Sequence, residues 1–220
     1  MNVQNHPQAS RLSALKQAVA AGVEKRAKLG QEIVDTLFSF AELGFQELES
    51  ARYMTAILER EGFAIRREAI GIPSQWVATW GKGGPTISLN SDVDALAGLS
   101  QKPGIPYPDP LVEGAPGHGE GHNSGMAVAI LAALAAKEVM EREGIPGTLH
   151  LWPGIAEEQI ASKAYVANSD ILDGVDLVLS PAMAFSAPTI GMMENFTDDL
   201  ISGIHRFTCP FTMSGHPVLS

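Results

Sequence analysis

Three short polar clusters carry most of the chemistry on offer in this chain of 220 residues. Asp92 and Asp94 stand in "NSDVDAL", His118, Glu120 and His122 in the glycine-rich run "GHGEGHNSG", and Glu157 and Glu158 in "GIAEEQIASK". Imidazole and carboxylate donors, with one carboxylate to spare, are the parts of a hydrolytic metal site. The ligands hold a cation with an open position, and the spare carboxylate takes a proton from water. The glycine run has two other readings. Glycines opening a helix can bare backbone N–H groups to a phosphate, and they also make ordinary turns. The spacing G-x-G-x-x-G fails from Gly117 and from Gly119, and Glu120 would put a negative charge where the phosphate belongs. Spacing alone leaves metal site and plain turn open, with the phosphate loop behind both.

Each cluster also has an ordinary structural role open to it. Asp92 and Asp94 fit a turn after a strand, where Asp is common. Glu157 and Glu158 fit the acidic first turn of a following helix, favoured by its dipole. His150, alternating with Leu149 and Leu151, reads as a strand residue facing solvent or satisfied by hydrogen bonds, and His6 lies in a polar terminus.

The elements that must position these clusters follow from periodicity. Apolar residues from Leu12 to Phe38 recur at helical spacing and predict one long or broken helix over 10–40. A second helix is expected in "ESARYMTAILEREGF", ending at Gly62. "AIRREAI", "QWVATWG", "TISLNSDVDAL", "TLHLWP" and "VDLVLS" read as strands, and 99–125 as loop. "MAVAILAALAAKEVMEREG" predicts a buried helix, apolar on nearly every face in its first half, and "SKAYVANSDIL" a further one. Helices alternating with strands give an α/β layered fold with helices on both faces of a sheet, and the clusters then sit at strand ends, where open α/β sheets build their sites.

Composition narrows the partners. At 45% hydrophobic and 18% charged the chain can bury a core, as one domain or one domain with an appendage. A net charge of −10 excludes the basic footprint of a nucleic-acid binder. The single Cys209 excludes an internal disulfide framework. No uninterrupted apolar run of spanning length and no signal-like start are present, so no membrane partner and a cytoplasmic location are expected.

Four motifs in register, "AELGFQELES", "NSDVDALAGLSQ", "GHGEGHNSGMAVAI" and "GTLHLWPGIAEEQIASKAYV", resemble the aminoacylase and carboxypeptidase group of metallopeptidases over about residues 30–180. They are most similar to its aminobenzoyl-glutamate-hydrolase-like amidohydrolases. The resemblance implies hydrolysis of amide bonds in N-acyl amino acids or small peptides with Zn²⁺ or Mn²⁺, two ions in the family. It makes His122 and Glu158 metal ligands and Glu157 the general base. Glu120 becomes a ligand where this branch commonly has a cysteine, which shifts preference toward harder ions. Asp92 falls in the family's aspartate motif and is carried over as a catalytic residue. The partner implied is a small amide substrate, with homo-oligomerisation open.

Two departures qualify that expectation. The resemblance implies a further ligand histidine beyond the Glu pair, and no histidine lies between His150 and His205. It also implies an inserted dimerisation domain and a return segment with a last ligand, and neither is in this sequence. The ions are therefore expected to bind weakly, and the alternative is an inactive hydrolase-derived binding or assembly module. From about Pro181 the texture changes, and "PAMAFSAPTIGMMENF" and "RFTCPFTMSGHPVLS" resemble the C-terminal part of the amidase-signature family. The expected division is 1–180, a partial metallo-amidohydrolase catalytic domain, and 181–220, an irregular amidase-like tail without that family's catalytic lysine and serines.

Overall fold

The computed structural model describes residues 7–160 and 162–179. His6, His205, Cys209 and the whole of the 181–220 tail, with its amidase-like reading and the division at residue 180, lie outside the described residues. The predicted N-terminal helix is broken in two, α1 (Pro7–Glu24) and α2 (Ala27–Phe40). At the break, Lys25 and Arg26 reach Glu138 at 3.3 and 2.6 Å. α3 (Leu48–Arg60) follows, and its first free N–H groups, those of Glu49 and Ser50, donate to the Glu42 carboxylate at 2.9 and 2.8 Å.

Five strands form one mixed sheet: β1 (Ala64–Arg66), β2 (Val77–Lys82), β3 (Thr86–Asp92), β4 (Gly147–Gly154) and β5 (Leu177–Leu179), in the order β1-β2-β4-β3-β5. β4 runs antiparallel to β2 and parallel to β3. The crossover between β3 and β4 is α4 (His122–Glu143), which packs on α1, α2 and β3. Met126, Ile130 and Leu134 of α4 and Leu149 and Leu151 of β4 share one core with Ile33, Leu37, Met54 and Leu58 from α2 and α3. Trp152, on the opposite face of β4, packs with Val77, Val166 and Ile171 in a smaller cluster, which α5 (Ser162–Ala167) helps to close. The predicted α/β layering with helices flanking the sheet is observed.

Some boundaries differ from expectation. "AIRREAI" pairs only through Arg66; Glu68 then turns left-handed and Ala69–Gly71 forms a 3₁₀ turn. α5 stops at Ala167 because Asn168 and Ser169 bond back to the Ala164 and Val166 carbonyls at 2.8 and 2.7 Å, competing with the helix ladder. α4 begins at His122, inside the stretch 99–125 expected to be loop. α4 also has the length and hydropathy of a membrane span, a property the sequence expectation of no such helix did not credit. Its apolar residues are those of a core helix, with Met126, Ile130, Ala133 and Ala135 fully buried.

Candidate metal centre

The parallel register sets Asp92 beside Gly154, so the segments leaving β3 and β4 emerge together. α4 starts at the same end of the sheet, because a crossover helix begins where its first strand ends. All three polar clusters are thereby gathered. Gly121, left-handed at φ +92°, makes the turn that starts α4 with His122 as its first residue.

Glu120, His122, Glu157 and Glu158 each present one ligand atom, and these four atoms all lie within 4.8 Å of one another. Two opposed ligands of one ion would stand about 4.2 Å apart at ordinary ligand distances, so the cluster is close to cation-binding size. His122 is its hub. Its Nε2 lies 3.5 Å from Glu120 Oε2 and 4.0 Å from Glu157 Oε2, and its Nδ1 lies 3.8 Å from Glu158 Oε1. Nδ1–H donates to the Asp94 backbone carbonyl at 3.0 Å, which leaves the Nε2 lone pair for the cluster.

Asp94 backs the hub. Its side chain is wholly buried; Oδ2 accepts the Glu158 N–H at 3.0 Å and Oδ1 lies 3.6 Å from His122 Nδ1. Asp92 is at the rim, its Oδ2 bonded to Lys163 Nζ at 2.9 Å, and the same Nζ lies 4.0 Å from Glu157 Oε1. Among the described residues the buried Oδ1 atoms of Asp92 and Asp94 have no hydrogen-bond partner, and such orphaned buried acceptors call for a water or an ion.

The electrostatics follow from this crowding. Burial alone would lower the His122 pKa, but the Asp94 carboxylate and carbonyl, with Asp92, outweigh it and raise it to about 9. Burial raises Glu158 to about 7, with the like charge of Glu120 adding to it. Burial and then Asp92 raise Glu157 above the usual carboxylate range, against the pull of Lys163. For Asp94 burial works upward, yet the facing His122 ring and the hydrogen bond from the Glu158 amide hold it below its ordinary value. A divalent cation bound here would compete with protons for these groups.

His118, on the other side of Glu120, is turned away: its Nε2–H donates to the Leu37 carbonyl at 3.1 Å, and burial holds its pKa down. Asn123 anchors the same loop by donating to the Val34 carbonyl at 3.2 Å. His150 is buried in the sheet, its Nδ1 2.9 Å from Ser88 Oγ, and takes no part in the cluster. The expected site residues Glu120, His122, Glu157 and Glu158 are thus brought together and Asp92 stands beside them. Two neighbours lacked a sequence signal, Lys163 and Glu47, because both act through long-range contacts; Asp94 is named with Asp92 in one motif, which by itself gives neither a separate role.

No family model matches the chain. It is 36% identical over 149 residues to a component of the p-aminobenzoyl-glutamate hydrolase of Escherichia coli (strain K12), covering 68% of this chain and 31% of that protein. It is 29% identical over 175 residues to N-acetyl-L-cysteine deacetylase of Bacillus subtilis (strain 168), covering 78% of this chain and 40% of that protein. Its fold matches that of a dinuclear metal-binding peptidase of the M20 family from Bacillus subtilis, with a TM-score of 0.57 at 24% identity, over 72% of this chain and 42% of that one. Over about 70% of its length the chain is similar to M20-family metallopeptidases of the aminobenzoyl-glutamate-hydrolase kind. It spans 31% and 40% of the length of the two curated relatives. The amidase-like reading of the tail finds no support in these similarities.

Proposed function

We propose that the chain carries the ion-binding half of a metal-dependent amide hydrolase acting on N-acyl amino acids or small peptides. The observation that carries this reading is the convergence of Glu120, His122, Glu157 and Glu158 at the shared end of β3, β4 and α4. Three carboxylates and an imidazole, set beside buried carboxylate oxygens that lack a partner among the described residues, suit a divalent cation of the Zn²⁺ or Mn²⁺ kind. The activities for which the relatives are named, hydrolysis of an aminobenzoyl-glutamate and deacetylation of an N-acetyl amino acid, favour a small amide as substrate.

In this reading His122, Glu120 and Glu158 hold the ion. Once bound, the ion supplies polarisation of an amide carbonyl and a lowered pKa for water. Glu157 is the proton carrier. Its raised pKa suits it to take a proton from water and hand it to the leaving amine. Lys163 ties Asp92 and keeps a positive charge 4.0 Å from Glu157, which limits how far the base is pushed up. Asp94 orients His122 and the Glu158 peptide together.

A second reading, binding without turnover, is favoured by the missing histidine between His150 and His205. The two separate by experiment. The purified chain is titrated with Mn²⁺ and Zn²⁺ by calorimetry, and the loaded protein is assayed on a panel of N-acyl amino acids. Ion uptake with amide cleavage supports the hydrolase, ion uptake without cleavage supports the binding module, and no uptake at millimolar ion removes both.

A further inference from the structure

We propose that Glu47 is a positioning residue for the ion site, and that the segment 42–47 works as a clasp aiming the Glu157–Glu158 turn. The inference rests on the metal-site reading above. Glu47 lies outside the ligand cluster, yet it is fully buried. A buried carboxyl is costly unless a specific bond requires it. Its Oε1 accepts the Ala156 N–H at 2.7 Å, across 109 residues of sequence. That peptide immediately precedes the two glutamates.

The turn needs such a hold. Ala156 is left-handed at φ +48°, Glu157–Gln159 is a single 3₁₀ turn, and Ile160, β-branched and 93% exposed, is left-handed at φ +66°. L-residues adopt this conformation reluctantly, and two so close together persist only where surrounding contacts over-determine them. For Ala156 the clasp provides the contacts. Gly44 lies against the turn so closely that a Cβ there would stand 2.8 Å from Ala156 Cα, and Gln159 Nε2 donates to the Gly44 carbonyl at 3.3 Å. The same segment grips the other side of the site. The Glu42 carbonyl accepts the Ala95 N–H at 2.8 Å, next to Asp94, and Leu43 bridges to Ala95. One loop thus fixes both strand-end segments, and the Glu47 carboxyl is the group by which it holds the peptide that directs the glutamates.

The test uses the full chain with Glu47→Ala and Glu47→Gln. Mn²⁺ affinity is measured by calorimetry, and exchange of the Ala156 amide by NMR in chelator. Glu47→Ala is expected to weaken Mn²⁺ binding about 10–100-fold, the scale of lost outer-shell support, and to speed Ala156 exchange at least about tenfold. Glu47→Gln keeps an oxygen acceptor and is expected to stay within about threefold of the parent on both measures. Val139→Ala, a core truncation in the last turns of α4, loses stability and keeps its Mn²⁺ affinity, which separates aiming from simple weakening of the fold. If Glu47→Ala does not fold, Gly44→Ala displaces the same peptide from its other side and must weaken Mn²⁺ at least about tenfold. Unchanged affinity and unchanged Ala156 exchange in Glu47→Ala overturn the clasp, as does a Glu47→Gln variant as damaged as Glu47→Ala. Absence of Mn²⁺ binding by the parent overturns the ion-site reading instead, and Ala156 exchange then still decides whether Glu47 holds the turn.

Discussion

His122 and His150 belong to the same sheet-and-crossover unit and are both largely buried, yet their proton affinities move in opposite directions. His150 sits in the middle of β4 with a hydroxyl for a partner: Ser88 Oγ accepts the Trp152 Nε1–H at 3.0 Å and faces His150 Nδ1 at 2.9 Å. Burial, with Arg66 adding to it, drives its pKa down to about 4. His122 stands at the strand ends among carboxylates, and they overcome the same burial to lift it to about 9. Burial therefore does not tell a ligand from a core histidine; the partner does. A neutral network in mid-sheet closes on itself and rigidifies. A carboxylate-rich cluster at the strand ends stays under like-charge strain that protons or a cation must relieve.

The largest effect that separates these regions is on turnover. Glu157→Gln is expected to lower turnover on an N-acyl amino acid at least about 100-fold, the scale of lost general acid–base catalysis, while calorimetric Mn²⁺ affinity changes little. Equal loss of ion and activity would make Glu157 a ligand and merge two roles kept apart above. Next in size is Asp94→Asn. It keeps the shape but removes the charge behind His122 and the strong acceptor for the Glu158 amide, so Mn²⁺ affinity should fall about 10–100-fold. Ser88→Ala is the counterpart in mid-sheet. It strands the Trp152 and His150 ring nitrogens and should cost about 1–3 kcal/mol in chemical denaturation, with Mn²⁺ affinity unchanged. A loss of affinity there would show that the two regions are one.

Legibility in the sequence tracks the range of the interaction. Periodicity located α3, α4, β3 and β4 well, because each buries a face whose spacing is local, as in Met54, Ile57 and Leu58 of α3. The site's address was legible too, since strand-end carboxylates and the glycine loop must meet wherever a parallel β3–α4–β4 unit forms. What stayed hidden depends on contacts between distant segments. Asp92 and Asp94 are two residues apart, and only the end of β3 decides that Asp94 backs His122 while Asp92 turns to Lys163. "AELGFQELES" reads as a turn before a helix, and no local pattern announces that Glu42 caps α3 or that Glu47 bonds a peptide 109 residues on. His118 and His122 have equal claims by type; the Leu37 carbonyl, supplied by α2, removes the first from the cluster.

The smallest and sharpest difference is in titration, followed through histidine NMR signals with chelator present. His150 should titrate near pH 4 and His122 near pH 9, and Asp94→Asn should lower the second while leaving the first in place. The two histidines then push stability in opposite senses. In His150 the folded pKa lies below the ordinary 6.5, so between about 6.5 and about 4 the unfolded chain binds the extra proton. Its contribution is present above 6.5 and is lost as pH falls. In His122 the folded pKa lies above 6.5, so between about 6.5 and about 9 the folded chain binds the extra proton. Its contribution is complete below 6.5 and is lost as pH rises. Glu158 acts in the same sense as His122 over a lower window, because a carboxyl raised to about 7 disfavours folding once the cluster must ionise. Ion-free protein should therefore lose the Glu158 contribution between about pH 4.5 and 7 and the His122 contribution between about 6.5 and 9, and Mn²⁺ should restore most of the latter by taking the place of the proton on His122. A denaturation midpoint that stays flat across pH 7–9 in chelator, or one that Mn²⁺ leaves unmoved at pH 8, would mean that the strand-end cluster carries no more electrostatic strain than the neutral network in mid-sheet.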